Sequence, residues 1–570
     1  MKRCARLVFV TLLLGIVIST LVDHARAVPV AIRRTSEIVC DERLFGNEFL
    51  GGAYELVNDY VPASQQLFVF EPDSLGLATS RRSLRQVVGW NRMPCGAKFG
   101  SVVEESFRGY VLIEKTYAEL TESLRSKGFE LVASSGPWLL YSPFGHMVEK
   151  GQSEKCFVNA SIELLALVAF VIMLLVVYRL GGILCCMLLM VALSLLTFLS
   201  VVVGCLEYVT TIFLLMFAAV LVVALHSRPI KKMQEWTLID GCLVLLVAVI
   251  LFAYSLSQYL PTPNGASVIG GKAKLITLIG RFPDLFWTEK SDFEDMMPWY
   301  PPGLAMIVLA FDKIMDMPLC WALQASGVAI IIIIMREVLR CVTVPICRLA
   351  VLAFFLLPVT RQVSASYYSE GFEVLCLMAG MQRLSVNPYS AFGALLAGLA
   401  GWFKVEGALF AIVTVALFAP FHISWKDIRF WRSEAFAVLP ILLWLMFLGV
   451  MRCPMRSVCE MPRAWGGIGE SVLCMLKVLL SYDIFPMAII LTFVIFLHSE
   501  NCRVRYKDIG VRWGVITFLL FATLVVIYAI SSPVGVAWHV RTSLPRLVWV
   551  WALIMIVRVS VPMTKTINDA

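Results

Sequence analysis

ILCCMLLMVALSLLTFLSVVV, residues Ile183–Val203, is an apolar run without a single charged side chain. A transmembrane helix needs roughly 20 predominantly apolar residues, so this run is long enough to cross a membrane. Similar runs recur between Ile162 and Val559. The chain of 570 residues is 59% hydrophobic and has a mean hydropathy of +0.82, a balance foreign to soluble globular proteins. The sequence therefore predicts an all-α polytopic integral membrane protein.

The apolar runs predict about 13 membrane spans, with boundaries uncertain by a few residues. They lie near 161–178, 183–203, 207–225, 237–256, 319–335, 346–362, 370–384, 389–403, 406–421, 433–452, 475–497, 513–531 and 547–560. We expect residues 158–570 to form the membrane domain.

The first 27 residues have the pattern of a signal peptide or an uncleaved anchor. Lys2 and Arg3 precede an apolar run, and small residues stand before Val28. Either interpretation places the following segment outside the cytoplasm.

Residues 28–157 are mixed in character and predict a small extracytoplasmic α/β domain. LFVFEP (67–72), YVLIEK (110–115) and WLLYSP (138–143) read as strands. YAELTESLRSKGF (117–129) reads as a helix. Strands that alternate with helices favour an α/β arrangement.

The net charge of +8 does not predict nucleic-acid binding, because the Lys and Arg residues stand in short clusters between the spans. The clusters within 228–232, 336–348, 426–432 and 503–512, and Lys565, fall on the cytoplasmic side if the short apolar piece 303–316 does not cross. That piece is predicted to be an interfacial helix. With this choice, residues 28–157 and the long loop 257–318 both lie outside.

The long loop contains PNGASVIGGKAK (263–274) and WTEKSDFEDMMPWYPPG (287–303). Long loops in compact proteins are usually functional or disordered, and the aromatic and apolar residues of this one argue against disorder. We interpret it as the roof of an active site at the membrane surface.

Four stretches of this chain resemble the C-type glycosyltransferase (GT-C) superfamily. They are PNGASVIGGKAK, PWYPPG (298–303), SYYSEGFEVLCL with LLAGLAGWFKVEG (366–407), and AWHVRTSLPRL (537–547). The resemblance is to bacterial membrane glycosyltransferases that use polyprenyl-phosphate sugars and are related to protein mannosyltransferases and aminoarabinose transferases.

The resemblance implies an enzyme that transfers a sugar from a polyprenyl-phosphate donor to a glycan, lipid or protein acceptor. It implies the bacterial inner membrane, with the active face external. No cofactor is certain; a divalent metal stays open, although no metal ligands are assigned. The alternatives are a catalytically inactive membrane scaffold of the same fold and a transporter.

The chain departs from the family pattern at three positions. Asn264 stands where the first-loop acidic residue is expected, Met297 stands in place of a His, and Glu370 stands in place of an Asp. Because an amide cannot act as a carboxylate base, another carboxylate takes that role if the chain is active.

Sugar transfer from a lipid phosphate requires a carboxylate to accept a proton and cations to stabilise the departing phosphate. An ionisable residue at the end of a span is a functional candidate by default. The candidate catalytic residues are Glu370, Asp292 and Asp295. The candidate substrate-binding residues are Asn264, Lys272, Lys274, Tyr300, Lys404, Glu406, Arg541 and Arg546.

Overall fold

The computed structural model describes most of residues 109–143, 160–211, 300–315, 319–365, 368–419, 427–453, 466–480, 484–531 and 536–560. It also describes strands at 67–70 and 87–91 and isolated positions elsewhere. The predicted signal or anchor lies mostly outside the described residues. Asn264, Lys274, Asp292 and Asp295 lie wholly outside them.

The N-terminal region contains a five-stranded mixed sheet with the order β2-β1-β3-β5-β4. Strand β1 is parallel to β2 and β3, whereas β5 is antiparallel to β3 and β4. The three predicted strands and the predicted helix are present, but β2 and β4 were not predicted. The bounds are β1 Leu67–Phe70, β2 Val87–Asn91, β3 Tyr110–Glu114, α1 Ala118–Ser126, β4 Glu130–Ser135 and β5 Trp138–Ser142.

The rest of the described chain is almost entirely helical. In chain order the helices are α2 Ala160–Val203, α3 Gly303–Met315, α4 Leu319–Cys341, α5 Pro345–Phe355, α6 Pro358–Ala365, α7 Glu370–Val386, α8 Ala391–Gly398, α9 Ala400–Phe403, α10 Val405–Phe418, α11 Ile428–Val450, α12 Gly466–Leu479, α13 Phe485–Cys502, α14 Tyr506–Ser531 and α15 Val536–Ser560.

Three helices in the described part of the chain are long and apolar enough to cross a membrane: Gly181–Val203, Ile428–Val450 and Val540–Ser560. The pair α5 and α6, bent by 58° at its break, makes a fourth if it is one broken span. These helices are compatible with a membrane protein. The predicted total of 13 spans is not confirmed.

Helix α2 is interrupted at Gly182, whose φ of 70° and ψ of −166° are not helical. Such a positive φ is readily available to glycine. The Cys186 thiol lies 3.5 Å from the Leu174 carbonyl oxygen, so the two arms pack against each other. The predicted boundary between the spans 161–178 and 183–203 therefore coincides with a real turn.

Two predicted boundaries are wrong. The segment 475–497 is not one helix, because α12 ends at Leu479 and α13 begins at Phe485. Pro486, next to that start, suits the first turn of a helix but not its interior. The last helix begins at Val536 rather than at 547, so the predicted loop before it is helical.

The predicted interfacial helix exists as α3, but its described side chains from Leu304 to Phe311 are all buried. An interfacial helix would leave one face to the lipid or water. At 1.5 Å per residue, α3 is about 20 Å long, which is shorter than a bilayer core of roughly 30 Å. This part of α3 is therefore an enclosed interior helix.

A polar network joins three helices around the buried carboxylate of Glu337 in α4. Its carboxylate accepts hydrogen bonds from the Tyr178 hydroxyl, from Arg340 at 2.8 Å and from Gln382 at 2.8 Å. Tyr178 belongs to α2 and Gln382 to α7. We call these four residues the Glu337 network. It satisfies both oxygens of a carboxylate that is only 2% exposed.

Close packing between the described helices depends on small residues, which allow helix backbones to approach each other. A Cβ atom on Gly380 of α7 would lie 2.7 Å from the Cβ of Ala397 in α8. A Cβ atom on Gly398 would lie 2.3 Å from the Ala437 carbonyl oxygen in α11. These contacts set the positions of α7, α8 and α11 around the site described below.

We expect Gly398→Ala to destabilise the protein, because the new methyl group meets backbone atoms that cannot rotate away. Overpacking typically costs about 1–3 kcal/mol. Gly514→Ala is the matched control, since nothing lies within 4 Å of its added Cβ and alanine is the better helix former. Thermal unfolding in detergent should show a lower midpoint for the first variant alone; equal midpoints would contradict the packing.

Candidate functional site

Lys404 lies at a sharp turn between two helices. Helix α9 ends at Phe403, Lys404 is extended with φ −158° and ψ 144°, and α10 begins at Val405. The turn closes tightly, because a Cβ atom on Gly407 would lie 2.3 Å from the Ala400 carbonyl oxygen. The glycine of the Lys-Val-Glu-Gly stretch is thus required by packing, and the extended residue turns the lysine into the protein.

Glu370 is the first residue of α7 and is completely buried. Its Oε1 accepts a hydrogen bond from Lys404 Nζ at 2.8 Å and another from Arg546 Nη1 at 2.6 Å. The two cations are themselves 5% and 8% exposed. One carboxylate oxygen therefore joins three charged residues that are far apart in the sequence.

Arg546 reaches this position from the third turn of α15. Its Nε donates to the Thr542 carbonyl oxygen at 3.0 Å. Its guanidinium carbon lies 3.7 Å from the centroid of the Tyr368 ring, a distance typical of a cation–π contact. The guanidinium is thus held by a carboxylate, a backbone carbonyl and an aromatic face.

Glu373 is a functional candidate that was not predicted from the sequence. It follows Glu370 by three residues on α7, a spacing that places both side chains on one helix face. It is completely buried, and its Oε1 accepts a hydrogen bond from the Ser369 hydroxyl at 3.2 Å. Two glutamates spaced as Glu-Gly-Phe-Glu within an apolar helix are the sequence feature that could have predicted it. We call Glu370, Glu373, Lys404 and Arg546 the charged cluster.

Tyr300, three residues before the start of α3, lies beside the charged cluster. The Tyr300 phenol is within electrostatic range of Lys404, Glu406 and Glu373. The Tyr300 carbonyl oxygen accepts a hydrogen bond from Lys272 Nζ at 3.2 Å. The long loop therefore contributes two of its predicted residues to the same region.

A short chain of hydrogen bonds fixes the first residue of α3, Gly303. The Trp402 indole donates to the Ser194 hydroxyl at 2.9 Å, and that hydroxyl donates to the Gly303 carbonyl oxygen at 2.7 Å. A Cβ atom on Gly303 would lie 2.6 Å from the Trp402 carbonyl oxygen. The Pro-Pro-Gly turn and the Trp-Phe-Lys turn are consequently packed against each other.

Lys272 is almost completely buried, and it belongs to the loop rather than to a predicted span. Burial lowers the pKa of its ammonium group to about 7, and the nearby Cys453 thiol opposes this shift. The lysine therefore changes charge near neutral pH.

The structure brings together most of the predicted site residues that it describes. Glu406 lies 3.7 Å from Lys404, but the shorter contact of Lys404 is with Glu370. Arg541 is the exception: its side chain is exposed. Its expected place before the last span is corrected, because α15 begins five residues earlier and Arg541 lies on its outer surface.

Two carboxylate oxygens of the charged cluster are buried without a hydrogen-bond partner among the described residues. They are Oε2 of Glu370 and Oε2 of Glu373. A buried acceptor without a partner carries a desolvation cost of about 1–3 kcal/mol, and more when it is charged. Each buried group of this kind calls for an explanation, and a catalytic role is one of them.

Within the described part of the chain, no group of three or more His, Cys, Asp or Glu side chains is arranged to hold a metal ion. The cations of the charged cluster are a lysine and an arginine. These residues can hold an oxyanion through charge-assisted hydrogen bonds.

Comparison with protein-family models, with curated proteins and with solved structures found no match.

We expect the contacts of Glu370 to be coupled in stability. Glu370→Gln leaves two buried cations without their carboxylate, and breaking a buried ion pair typically costs about 3 kcal/mol or more. Arg546→Gln removes one of the same contacts, so the double variant should lose less than the sum of the single losses, by about 1 kcal/mol or more. Unfolding in detergent measures this cycle; strictly additive losses would contradict the shared contact.

Proposed function

We propose that this protein is a membrane glycosyltransferase that transfers a sugar from a polyprenyl-phosphate donor to an acceptor. In this proposal the chain has about 13 spans and the GT-C architecture. The charged cluster faces the exterior of a bacterial inner membrane. The N-terminal sheet belongs to an extracytoplasmic domain on the same side.

The observation that carries the proposal is the shared oxygen of Glu370. Glu370 and Lys404 belong to one of the four stretches that resemble glycosyltransferase motifs and Arg546 belongs to another, and the three side chains meet within hydrogen-bond distance. A third stretch contributes Tyr300 beside them, and the fourth contributes Lys272, which donates to the Tyr300 carbonyl oxygen. This convergence supports a site that the four segments build together.

The chemistry of the cluster suits a phosphate leaving group. In glycosyl transfer the bond between the anomeric carbon and the phosphate oxygen breaks, and negative charge develops on the phosphate. Preorganised cations in a dry site stabilise such charge effectively. A guanidinium adds two parallel hydrogen bonds to a phosphate, which a lysine cannot match.

The position of the cluster also suits a lipid donor. Glu370 lies at the start of α7 and Lys404 at the break between α9 and α10, Arg546 lies in the third turn of α15, and the buried residues of these helices are mostly apolar. A polyprenyl tail can lie along apolar helices while its phosphate stays near the headgroup depth. A transporter would instead place its polar site near mid-membrane, between broken helices.

The direct test uses the purified protein in liposomes with farnesyl-phosphate-linked hexoses and pentoses, labelled in the sugar. Envelope lipids, glycans and proteins serve as acceptors. We expect release of farnesyl phosphate together with label on an acceptor. Binding of donor without turnover would favour the inactive scaffold. Accumulation of intact donor across the membrane would favour the transporter.

Arg546 should be more sensitive to substitution than an ordinary interfacial arginine. We expect Arg546→Ala to lower sugar transfer by about a hundredfold or more, the usual scale for losing one charge-stabilising donor, and Arg546→Lys to lower it partly. Arg383→Ala is the control, since this exposed arginine lies near the other end of α7. Full activity of Arg546→Lys would indicate a simple anchor.

Lys272 should make phosphate binding depend on pH. As the pH rises through about 7 its ammonium group loses a proton, so binding of an anion should weaken, by up to about tenfold for each pH unit. Farnesyl methyl phosphate is a suitable probe, because a phosphodiester does not titrate in this range. Lys272→Arg should bind with little change between pH 6 and 8. The same pH dependence in both proteins would exclude Lys272 as its source.

A further inference from the structure

The two carboxylates of the charged cluster have different surroundings. Glu370 Oε1 is occupied by Lys404 and Arg546, which both donate to it. Its Oε2 has no hydrogen-bond partner among the described residues, but a proton on either oxygen would neutralise the carboxylate with which both cations are paired. Glu370 is therefore poorly suited to accept a proton during a reaction, although it is well suited to hold the cations in place.

Glu373 has the opposite arrangement. The only described hydrogen bond of its carboxylate comes from the Ser369 hydroxyl to Oε1, at 3.2 Å. Its Oε2 is buried and has no hydrogen-bond partner among the described residues. Lys404 acts on Glu373 through space but does not donate a hydrogen bond to it. One oxygen of Glu373 is thus available to a proton without the loss of any ion pair.

We propose that Glu373 is the catalytic group that accepts the acceptor's proton, while Glu370 positions Lys404 and Arg546 for the phosphate. This inference rests on the proposed transferase function. The acceptor hydroxyl oxygen forms a bond to the anomeric carbon. The bond from that carbon to the phosphate oxygen breaks, and its electron pair leaves with the phosphate. The hydroxyl proton moves to Glu373 Oε2 and later passes to water.

The sequence predicted Glu370 and the loop residues Asp292 and Asp295 as candidate bases. In this proposal Glu373 is the base instead, and Glu370 holds the cations. A general base must come within hydrogen-bond reach of the proton that it removes. Glu373 stands one helical turn from Glu370, on the same face of α7. It is therefore adjacent to the cations that would hold the leaving group.

The test compares an acceptor that must lose a proton with a nucleophile that has none to lose. Glu373→Gln keeps the size of the side chain but removes its basicity. We expect sugar transfer to hydroxyl acceptors to fall by about a hundredfold or more, the scale of general-base catalysis. Binding of farnesyl methyl phosphate should stay within about twofold of wild type. Azide, which needs no base, should restore turnover by forming the glycosyl azide.

Glu434→Gln is the matched control. Glu434 of α11 is also a buried glutamate whose Oε2 has no partner in the described part of the chain, but it is not part of the charged cluster. We expect wild-type transfer, wild-type phosphate binding and no gain from azide. Glu373→Asp is a second variant, in which a retracted carboxylate should give intermediate transfer to hydroxyl acceptors.

Each other result has a distinct meaning. Wild-type transfer by Glu373→Gln overturns the assignment and leaves the transferase function standing. Loss of transfer without rescue by azide, in a folded variant, assigns Glu373 a structural role. Failure of both Glu373 variants to fold also assigns it a structural role. If the wild-type protein consumes no donor, the proposed function itself fails, and the role of Glu373 fails with it.

Discussion

A single carboxylate oxygen, Oε1 of Glu370, holds two cations in an interior that excludes water. An unpaired charge in such a place would cost several kcal/mol, so the three groups can be buried only together. This requirement fixes the start of α7 against the turn at Lys404 and against α15. The turn before α3 then packs onto the same place through Trp402 and Gly303. The geometry of the candidate site follows from this one shared contact.

The other end of α7 belongs to a second polar network, around the buried carboxylate of Glu337. Glu370 and Gln382 are twelve positions apart on α7, which is about 18 Å along a helix axis. Between these two residues, α7 is held by close packing against α8, which the absence of a side chain at Gly380 allows. Charge therefore fixes the two ends of α7 and small residues fix its middle. The Glu337 network differs from the charged cluster in one respect: both oxygens of Glu337 have partners.

The sequence was informative wherever a local pattern decides the outcome. Long apolar runs predicted helices, and alternating segments such as Tyr110–Glu114 predicted strands. Short stretches of family resemblance predicted Glu370, Lys404 and Arg546 as site residues. Pairing between distant segments could not be predicted, because nothing in the residues near Glu370 indicates that Arg546 donates to it. Helix ends were also uncertain: polar residues such as Arg541 suggested a loop, whereas neighbouring packing continues α15 through them. Glu373 was not predicted because the role proposed for it depends on the contacts that Glu370 already makes.

The unsatisfied oxygens argue for a site rather than for a structural ion pair. Replacing a buried ion pair by apolar residues of similar volume is often neutral or stabilising, so an inert scaffold has little reason to keep one. It has less reason to add Glu373, whose carboxylate brings a further buried acceptor without a hydrogen-bond partner among the described residues. A transferase needs both features. The cations must be in place before the phosphate arrives, so Glu370 neutralises them meanwhile, and the proton acceptor must keep one oxygen open. The same arrangement that is costly for stability is what this chemistry requires.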